Sequence, residues 1–125
     1  MIKEFDPLIY PRKLWISIDA TQEELKEYFN TDIETLDDTN IAIAGSCHKE
    51  LADGKTFGGI LIQFQDVKNN PKGIITHESF HAACDIFDYV GAFVDPKNQE
   101  PFAYLVGWVS KCAEQTIEEF LKNEV

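Results

Sequence analysis

The sequence predicts a single α+β domain in which strands come first and two long helices follow. The 125 residues match the length of one domain, and 44% of them are hydrophobic, which is enough to form a core. Runs rich in β-forming residues occur at 13–19, 41–44 and 57–65. Two longer stretches, 71–90 and 100–122, repeat their apolar residues with the period of a helix.

The first strand and the first helix have clear boundary signals. Residues 13–19 are β-rich and begin shortly after Pro11, which bounds the run. A capping box follows, in which Thr21 is the expected N-cap and Glu24 the residue that reaches back to it. Apolar side chains on one face continue this short helix until Asn30. We therefore predict a strand followed directly by an amphipathic helix.

The strongest strand signal comes from residues 57–65, where one face is wholly apolar and the other becomes polar. Residues 41–44 form a shorter apolar run, which is predicted to be another strand. Between these two runs, residues 45–56 are expected to form a loop or a long hairpin connection. Asp53 and Gly54 indicate a turn within that connection.

Two long helices are predicted for the second half of the chain. The first covers about residues 71–90, with Pro71 in its first turn and Gly91 as its stop. Apolar residues surround most of its circumference, which predicts a central, buried helix. After a loop, the last helix is expected to begin near Glu100 and to continue to about residue 122.

Charge, apolar runs and cysteine content argue against several classes of protein. The net charge of −11 disfavours binding to nucleic acid and to anionic membranes. No run of roughly 18 apolar residues is present, so no membrane span is predicted. The N-terminus lacks the apolar segment of a secretory signal, and the three cysteines include no C-x-x-C pair. We therefore expect reduced thiols in a cytoplasmic protein, while the oligomeric state is not predicted.

The motif most directly linked to chemistry is His77-Glu78-Ser79-Phe80-His81, which has the pattern H-E-x-x-H. Residues four apart lie on the same face of a helix, so His77 and His81 can direct two imidazoles at one metal ion. Glu78 lies about 100° further round the helix and can reach a water on that ion as a general base. The competing interpretation is a structural or interaction protein in which surface histidines share this spacing by chance.

A catalytic zinc usually has three protein ligands, so a third is expected outside the motif. Glu100 is the preferred candidate, since 19 positions after the second histidine leave room for a turn and an antiparallel second helix. Ala103 and Gly107, on adjacent turns, are small enough to let the two helices approach closely. His48 and Asp85 remain alternatives, and Asp85 is also a candidate for orienting the second histidine.

The H-E-x-x-H motif, together with the downstream segment Glu100-x-x-Ala103-Tyr104, resembles the gluzincins. These are metallopeptidases in which a glutamate of the next helix completes the site. The same segments are similar to short uncharacterised H-E-x-x-H proteins of phages and prophages. The resemblance covers roughly residues 57–107. It implies a minimal zincin-like fold, in which a small mixed sheet packs against the buried H-E-x-x-H helix and a C-terminal helix.

The resemblance also implies a function, that of a zinc-dependent metallopeptidase. His77, His81 and Glu100 would hold Zn²⁺, and the ion would lower the pKa of its bound water. Glu78 would accept the proton of that water and pass it to the leaving amine. Iron, manganese or nickel also suit two imidazoles and a carboxylate, so the identity of the metal remains open.

Two further roles are expected of a peptidase. Tyr104 is the candidate donor for the oxyanion, with His48 and Tyr89 as alternatives. Residues 57–65 would be the edge strand to which an extended peptide or protein substrate adds. The chain has neither the N-E-x-x-S-D segment of thermolysin-like enzymes nor the third histidine of metzincins. A zincin-like protein that binds metal without cleaving, as a regulatory or interaction module, is therefore the alternative function.

Overall fold

The computed structural model describes residues 1–70 and 73–123. In these ranges the chain forms a four-stranded mixed sheet and three α-helices, which confirms the predicted α+β class. In chain order the elements are β1 (Ile2–Phe5), β2 (Lys13–Ile18), α1 (Gln22–Phe29), β3 (Ala42–Glu50), β4 (Thr56–Phe64), α2 (Ile74–Tyr89) and α3 (Glu100–Asn123).

The sheet has the strand order β1-β2-β4-β3, so β4 is an interior strand. It pairs in parallel with β2 and antiparallel with β3, which uses both of its hydrogen-bonding sides. The prediction that residues 57–65 form an edge strand is therefore wrong, and a peptide cannot add along that segment. Its strong apolar pattern has another cause, because a strand with two neighbours and helices over both faces buries most of its side chains. Within the described residues, the free edges of the sheet belong to β1 and β3.

Strand β3 is longer than its apolar residues predict. Its ladder with β4 runs from Ala42 opposite Phe64 to Glu50 opposite Thr56, so most of the predicted connection is strand. The second half of β3 is small, polar or charged, because an edge strand is partly exposed to water. The predicted turn that follows is confirmed, and Gly54 has a φ of +85°, in the left-handed region that favours glycine.

Strand β1 is an element that the sequence does not predict. It is only four residues long and carries Lys3 and Glu4, so neither its length nor its apolar content indicates a strand. Pairing with β2 explains its formation, because an antiparallel ladder joins Ile2 to Ser17 and continues along all four residues. The sheet therefore ends on this side in a short, charged edge strand.

The two faces of the sheet have separate cores. The face toward α2 and α3 carries the larger core, and the face toward α1 carries the smaller one. Because side chains alternate along a strand, β2 and β4 contribute to both cores. On the α1 side, the fully buried Trp15 packs edge to face on Phe29, with ring centroids 5.0 Å apart. On the other side the two strands contribute Leu14, Ile16, Ile18, Ile60, Ile62 and Phe64.

The helix boundaries follow the predicted signals. Both bonds of the capping box are present at the start of α1, and Asn30 ends that helix in the left-handed conformation. Gly91, with a φ of +74°, terminates α2, and α3 begins at Glu100 as predicted. The predicted start of α2 at Pro71 lies outside the described residues, within which α2 begins at Ile74. In the described part of the chain, no helix is both long and apolar enough to cross a membrane.

Two ion pairs show how the long helices run across the sheet. Arg12, just before β2, pairs with Asp85 in the second half of α2. Lys3, which lies opposite Ile16 near the end of β2, pairs with Glu119 toward the end of α3. The end of α2 and the start of α3 therefore lie at the same end of the sheet, and the two helices are antiparallel.

Helix α2 is buried on its inner side only. Phe102 of α3 packs between Phe80 and Phe87 of α2, with ring centroids 5.3 and 5.2 Å away. Phe80 is nevertheless 48% exposed, and His77 and His81 are exposed as well. The prediction of a helix buried around most of its circumference is therefore wrong, because its outer side faces water.

Two small residues in the first half of helix α3 face outward. Ala103 and Gly107 are exposed, and a Cβ placed on Gly107 would meet none of the described atoms within 4 Å. The prediction that these residues bring the two helices together is therefore wrong. The contact is made instead by Phe102, whose ring fills the space between two phenylalanines of α2.

Candidate functional site

A cleft of about 410 Å³ separates α2 from the edge strand β3. Residues 39–42 lie beside residues 73–78, and residues 43–46 beside residues 77–85, so strand and helix run in the same direction here. Four strand residues span about 13 Å and eight helical residues about 12 Å, so the two facing segments have nearly the same length. The cleft is lined by Ile43, Ala44, Gly45, Ser46, Ile60, His77, Glu78, His81 and Asp85.

The two histidines of the motif converge on one point at this cleft. Nε2 of His77 and Nε2 of His81 are 3.2 Å apart, and the rings meet edge to face at 73°. Two nitrogen ligands of a tetrahedral zinc, with bonds of about 2.0–2.1 Å, are roughly 3.3 Å apart, so the observed pair fits such an ion. The side chain of His77 is 64% exposed, which gives a ligand access from water.

Glu78 is only 5% exposed, although the histidines before and after it face water. Its position about 100° round the helix from His77 turns it toward β3. The strand meets it with the small side chains of Ala42 and Ala44, which leave room for a carboxylate. Oε1 of Glu78 lies 3.9 Å from Nε2 of His77. The carboxylate is therefore close enough to exchange a proton with a molecule held at the two imidazoles.

The third ligand is not assembled with this pair. The described residues contain no group of three or more His, Cys, Asp or Glu side chains that could hold a metal ion. Glu100 is exposed and lies about 200° round α3 from Phe102, the residue that faces α2. His48 is a strand residue whose Nε2 is 3.8 Å from Glu50, and Asp85 lines the cleft with both oxygens engaged elsewhere. The role of Glu100 as third ligand therefore stays a prediction.

The two tyrosines considered for the oxyanion lie away from the histidines. Tyr104 is 74% exposed and lines a separate groove of about 390 Å³ with Trp108 and the segment 6–10. The ring of Tyr89 stacks against Arg12, with 4.6 Å between Cζ of Arg12 and the ring centroid. The structure brings neither tyrosine to the cleft, so the identity of the oxyanion donor stays a prediction.

Asp85 closes one end of the cleft through a network that the sequence does not predict. Its Oδ2 accepts a hydrogen bond of 2.8 Å from Nη2 of Arg12, and its Oδ1 accepts one of 2.6 Å from the hydroxyl of Ser46. Nη2 of Arg12 also donates to the carbonyl of Gly59 at 3.0 Å. The carboxylate therefore binds partners on the sheet rather than His81. The sequence signal for this network is the pair Gly58 and Gly59 within the predicted strand 57–65. Glycine inside a strand often marks a site where another part of the protein approaches the backbone closely.

The cysteines do not contribute to the site. Cys47 and His48 are adjacent in sequence but lie on opposite faces of β3, so they do not form a thiol–imidazole pair. Burial raises the pKa of the Cys47 thiol to about 12 and the pKa of the Cys112 thiol to about 11, so both are protonated at neutral pH. All three cysteines are free.

Comparison with known proteins assigns no family to this chain. No protein-family model matches it, and neither a curated protein nor a solved structure matches it. The resemblance to the gluzincins therefore remains a hypothesis that rests on the motif residues. What the cleft can do is inferred from its own parts, which are two convergent imidazoles, a buried carboxylate and a free strand edge.

Proposed function

We propose that this protein is a metal-dependent peptidase, with Zn²⁺ as the metal and Glu78 as the general base. One observation supports the proposal most strongly. Two imidazole nitrogens lie 3.2 Å apart beside a buried carboxylate, in a cleft bordered by a free strand edge. Nitrogens at this distance can also share a hydrogen bond, but surface histidines that have this spacing by chance would not need a buried acid next to them, because burying a carboxyl group is costly.

The two histidines and the glutamate of the motif have distinct roles in the proposed reaction. His77 and His81 bind the metal, which when bound lowers the pKa of a coordinated water and polarises the scissile carbonyl. Glu78 accepts the proton of the attacking water and delivers it to the leaving amine. Because Glu78 lines the cleft and is otherwise buried, its carboxylate is held toward the reacting groups.

Strand β3 replaces residues 57–65 as the proposed substrate-binding edge. One side of β3 pairs with β4, and its other side is free at the rim of the sheet, next to α2. An extended peptide can add to such an edge through its backbone N–H and C=O groups. Since β3 and α2 run in the same direction here, the added peptide would cross the cleft along the line of the two histidines.

Glu100 remains the proposed third ligand and Tyr104 the proposed oxyanion donor, both on the basis of the gluzincin resemblance. Helix α3 contacts α2 through Phe102 and Phe80, so its first turn lies on the side of the histidines opposite to β3. Glu100 and Tyr104 are both exposed, so neither side chain is part of the core.

The proposed peptidase would act in the cytoplasm on a peptide or protein substrate. Its three cysteines are free thiols, which is usual where thiols are kept reduced. The net charge of −11 disfavours nucleic acid and anionic membranes as partners and favours basic ones.

The substitution Glu78→Gln tests the proposed function. We expect the wild type to bind zinc and to cleave members of a fluorogenic peptide library. The variant should keep its zinc while the cleavage rate falls by about 10²–10⁴-fold, which is the usual contribution of a general base. Glu114→Gln, which changes an exposed acid of α3, is the matched control and should keep both properties.

Three outcomes separate the proposal from its alternatives. Zinc bound by both proteins with no cleavage by either one would favour a metal-binding regulatory or interaction protein. A wild type that contains no zinc and takes up none on titration would overturn the metal site itself. Purification must avoid a nickel column, since two convergent imidazoles also suit that metal.

A further inference from the structure

We infer that Arg12, Ser46 and Asp85 form a clamp that fixes the free edge of β3 relative to the H-E-x-x-H helix. The clamp joins the start of β2, the middle of β3 and the second half of α2. Its role in catalysis rests on the proposed function, in which it holds a strand-bound substrate at a set distance from Glu78. The three clamp residues are positioning residues, because none of them belongs to the histidine pair or is its base.

Asp85 is the centre of the clamp, because each of its carboxylate oxygens binds a different part of the sheet. The bond to Nη2 of Arg12 is 2.8 Å long, and the bond from the Ser46 hydroxyl is 2.6 Å long. The side chains of Arg12 and Asp85 are 11% and 22% exposed, so water screens their ion pair little. Ser46 itself is exposed, and this charge-assisted bond rather than burial therefore holds it toward α2.

The clamp lies where it can set the width of the cleft. Asp85 and Ser46 line the same cleft as the histidine pair, and Asp85 is one turn, about 6 Å along the axis, beyond the second histidine. In the sheet, β3 pairs with β4 alone, because it is the last strand. Ala42 and Ala44 also face α2 across the cleft. Their short apolar side chains do little to fix the position of β3 relative to α2.

The fold accommodates Arg12 in a way that favours a positional role. A Cβ on Gly58 would lie 2.8 Å from Nη1 of Arg12, so glycine makes room for the guanidinium, and Tyr89 stacks on it. Nε of Arg12 is nevertheless buried without a hydrogen-bond partner among the described residues. A buried ion pair that leaves one donor unpaired is a poor source of stability. The Arg12–Asp85 pair is therefore better explained by the position in which it holds β3 and α2 than by the stability it contributes.

The substitution Ser46→Ala is the sharpest test, because it removes a hydroxyl that donates to Asp85 at 2.6 Å and accepts from Nη2 of Arg12 at 3.5 Å, and it leaves the Arg12–Asp85 pair intact. Loss of that pair could prevent folding, so it is not the first choice. Ser46→Thr keeps a hydroxyl and serves as the rescue variant. Thr56→Ala changes an exposed residue on β4 of the same hairpin and serves as the control. Amide hydrogen exchange, zinc affinity and steady-state peptide cleavage should be measured for each protein.

We expect Ser46→Ala to loosen β3 locally and to misplace the substrate. The amides of Gly45 and Cys47, which the antiparallel ladder directs toward β4, should exchange about tenfold faster, while β1 and β2 keep their rates. The kcat should fall about tenfold, with KM and zinc affinity changed by less than about twofold, because misplacement acts mainly on the transition state. Ser46→Thr should restore both the exchange rates and kcat, and Thr56→Ala should match the wild type.

Wild-type exchange rates and kcat in Ser46→Ala would overturn the clamp. Equal losses in Ser46→Ala and Ser46→Thr would overturn it as well, because the hydroxyl would then not be the group that matters. If the wild type cleaves no peptide, the proposed function fails separately. In that case hydrogen exchange alone decides whether the clamp holds β3 against α2.

Discussion

The two flanks of the histidine face of α2 are held by different kinds of contact. On the β3 flank, which comprises Glu78 and Asp85 with Ser46, the acids are well shielded and a 2.6 Å hydrogen bond crosses the cleft. On the α3 flank, which comprises Phe80 with the first turn of α3, the contact is aromatic and Glu100 is exposed. One flank is therefore fixed by directional polar bonds, and the other leaves its carboxylate in water.

This difference indicates which parts of the proposed site are pre-formed. The general base and the substrate edge must be in place at the transition state, and a rigid surrounding supplies this without reorganisation. A third ligand can be recruited by the ion itself, because metal coordination contributes far more than the roughly 2 kcal/mol of rotamer entropy that ordering a glutamate costs. In the proposed site, the β3 flank is the preorganised half and the α3 flank the half that metal binding orders.

The largest expected effect concerns metal binding on the two flanks. His77→Ala should abolish stoichiometric zinc, because one imidazole remains. Glu100→Ala should lower zinc affinity by at least about 100-fold, since loss of a ligand exceeds the effect of losing an outer partner. Glu114→Ala, which removes an exposed acid elsewhere on α3, should leave zinc affinity unchanged. Competition titration with a chromophoric chelator measures all three.

Unchanged zinc affinity in Glu100→Ala would show that the α3 flank does not complete the site. His48→Ala and Asp85→Asn are the next variants in that case. A loss of zinc in either variant would identify the third ligand on the β3 flank. That flank would then contain both the general base and the third metal ligand.

The H-E-x-x-H helix, its C-terminal end and the start of α3 are predictable because their signals are local. The spacing of His77 and His81 places them on one face whatever surrounds the helix. Gly91 and the start of α3 at Glu100 are boundary signals that act within a few residues. Residues 57–65 are recognisable as a strand for the same reason. The interior position of this strand in the sheet cannot be recognised from the sequence, because strand order depends on partners far away in the chain.

The β3 flank is less predictable, because its residues meet only in the folded protein. Arg12 and Asp85 are 73 positions apart, and Ser46 and Asp85 are 39 positions apart. Ser46 also lies in the polar half of β3, whose composition is typical of a loop. An edge strand of this kind is specified by its pairing with β4 rather than by its own apolar pattern.

Breaking a shielded ion pair should cost more stability than breaking an exposed one, because only the shielded pair leaves an acid away from water without its partner. Arg12→Met should lower the free energy of unfolding by about 2–4 kcal/mol, because it leaves Asp85 shielded and without its cation. Lys3→Met breaks the Lys3–Glu119 pair, whose side chains are 40% and 48% exposed, and should cost less than about 1 kcal/mol. Urea unfolding followed by tryptophan fluorescence measures both changes. Equal effects would mean that the β3 flank is no more firmly held than the surface.

Two glycines, one next to the clamp and one on the outer face of α3, are expected to change stability in opposite directions when alanine replaces them. A Cβ on Gly59 would overlap the carbonyl of Lys13 and lie 2.6 Å from Cζ3 of Trp15. Gly59→Ala should therefore lower the free energy of unfolding by about 1–3 kcal/mol. Gly107→Ala, at an open helical position, should raise it by about 0.5–1 kcal/mol.

If the free energy of unfolding falls in Gly59→Ala and rises in Gly107→Ala, the sheet is tightly packed at Gly59 and the outer face of α3 is open. The same urea unfolding measurement decides the sign, and zinc affinity should not change in Gly59→Ala, because the histidines lie on α2. A destabilising Gly107→Ala would mean that the outer face of α3 is covered in solution. Since Gly107 and Glu100 share that face, such a cover would also restrict the carboxylate that is proposed to reach the metal.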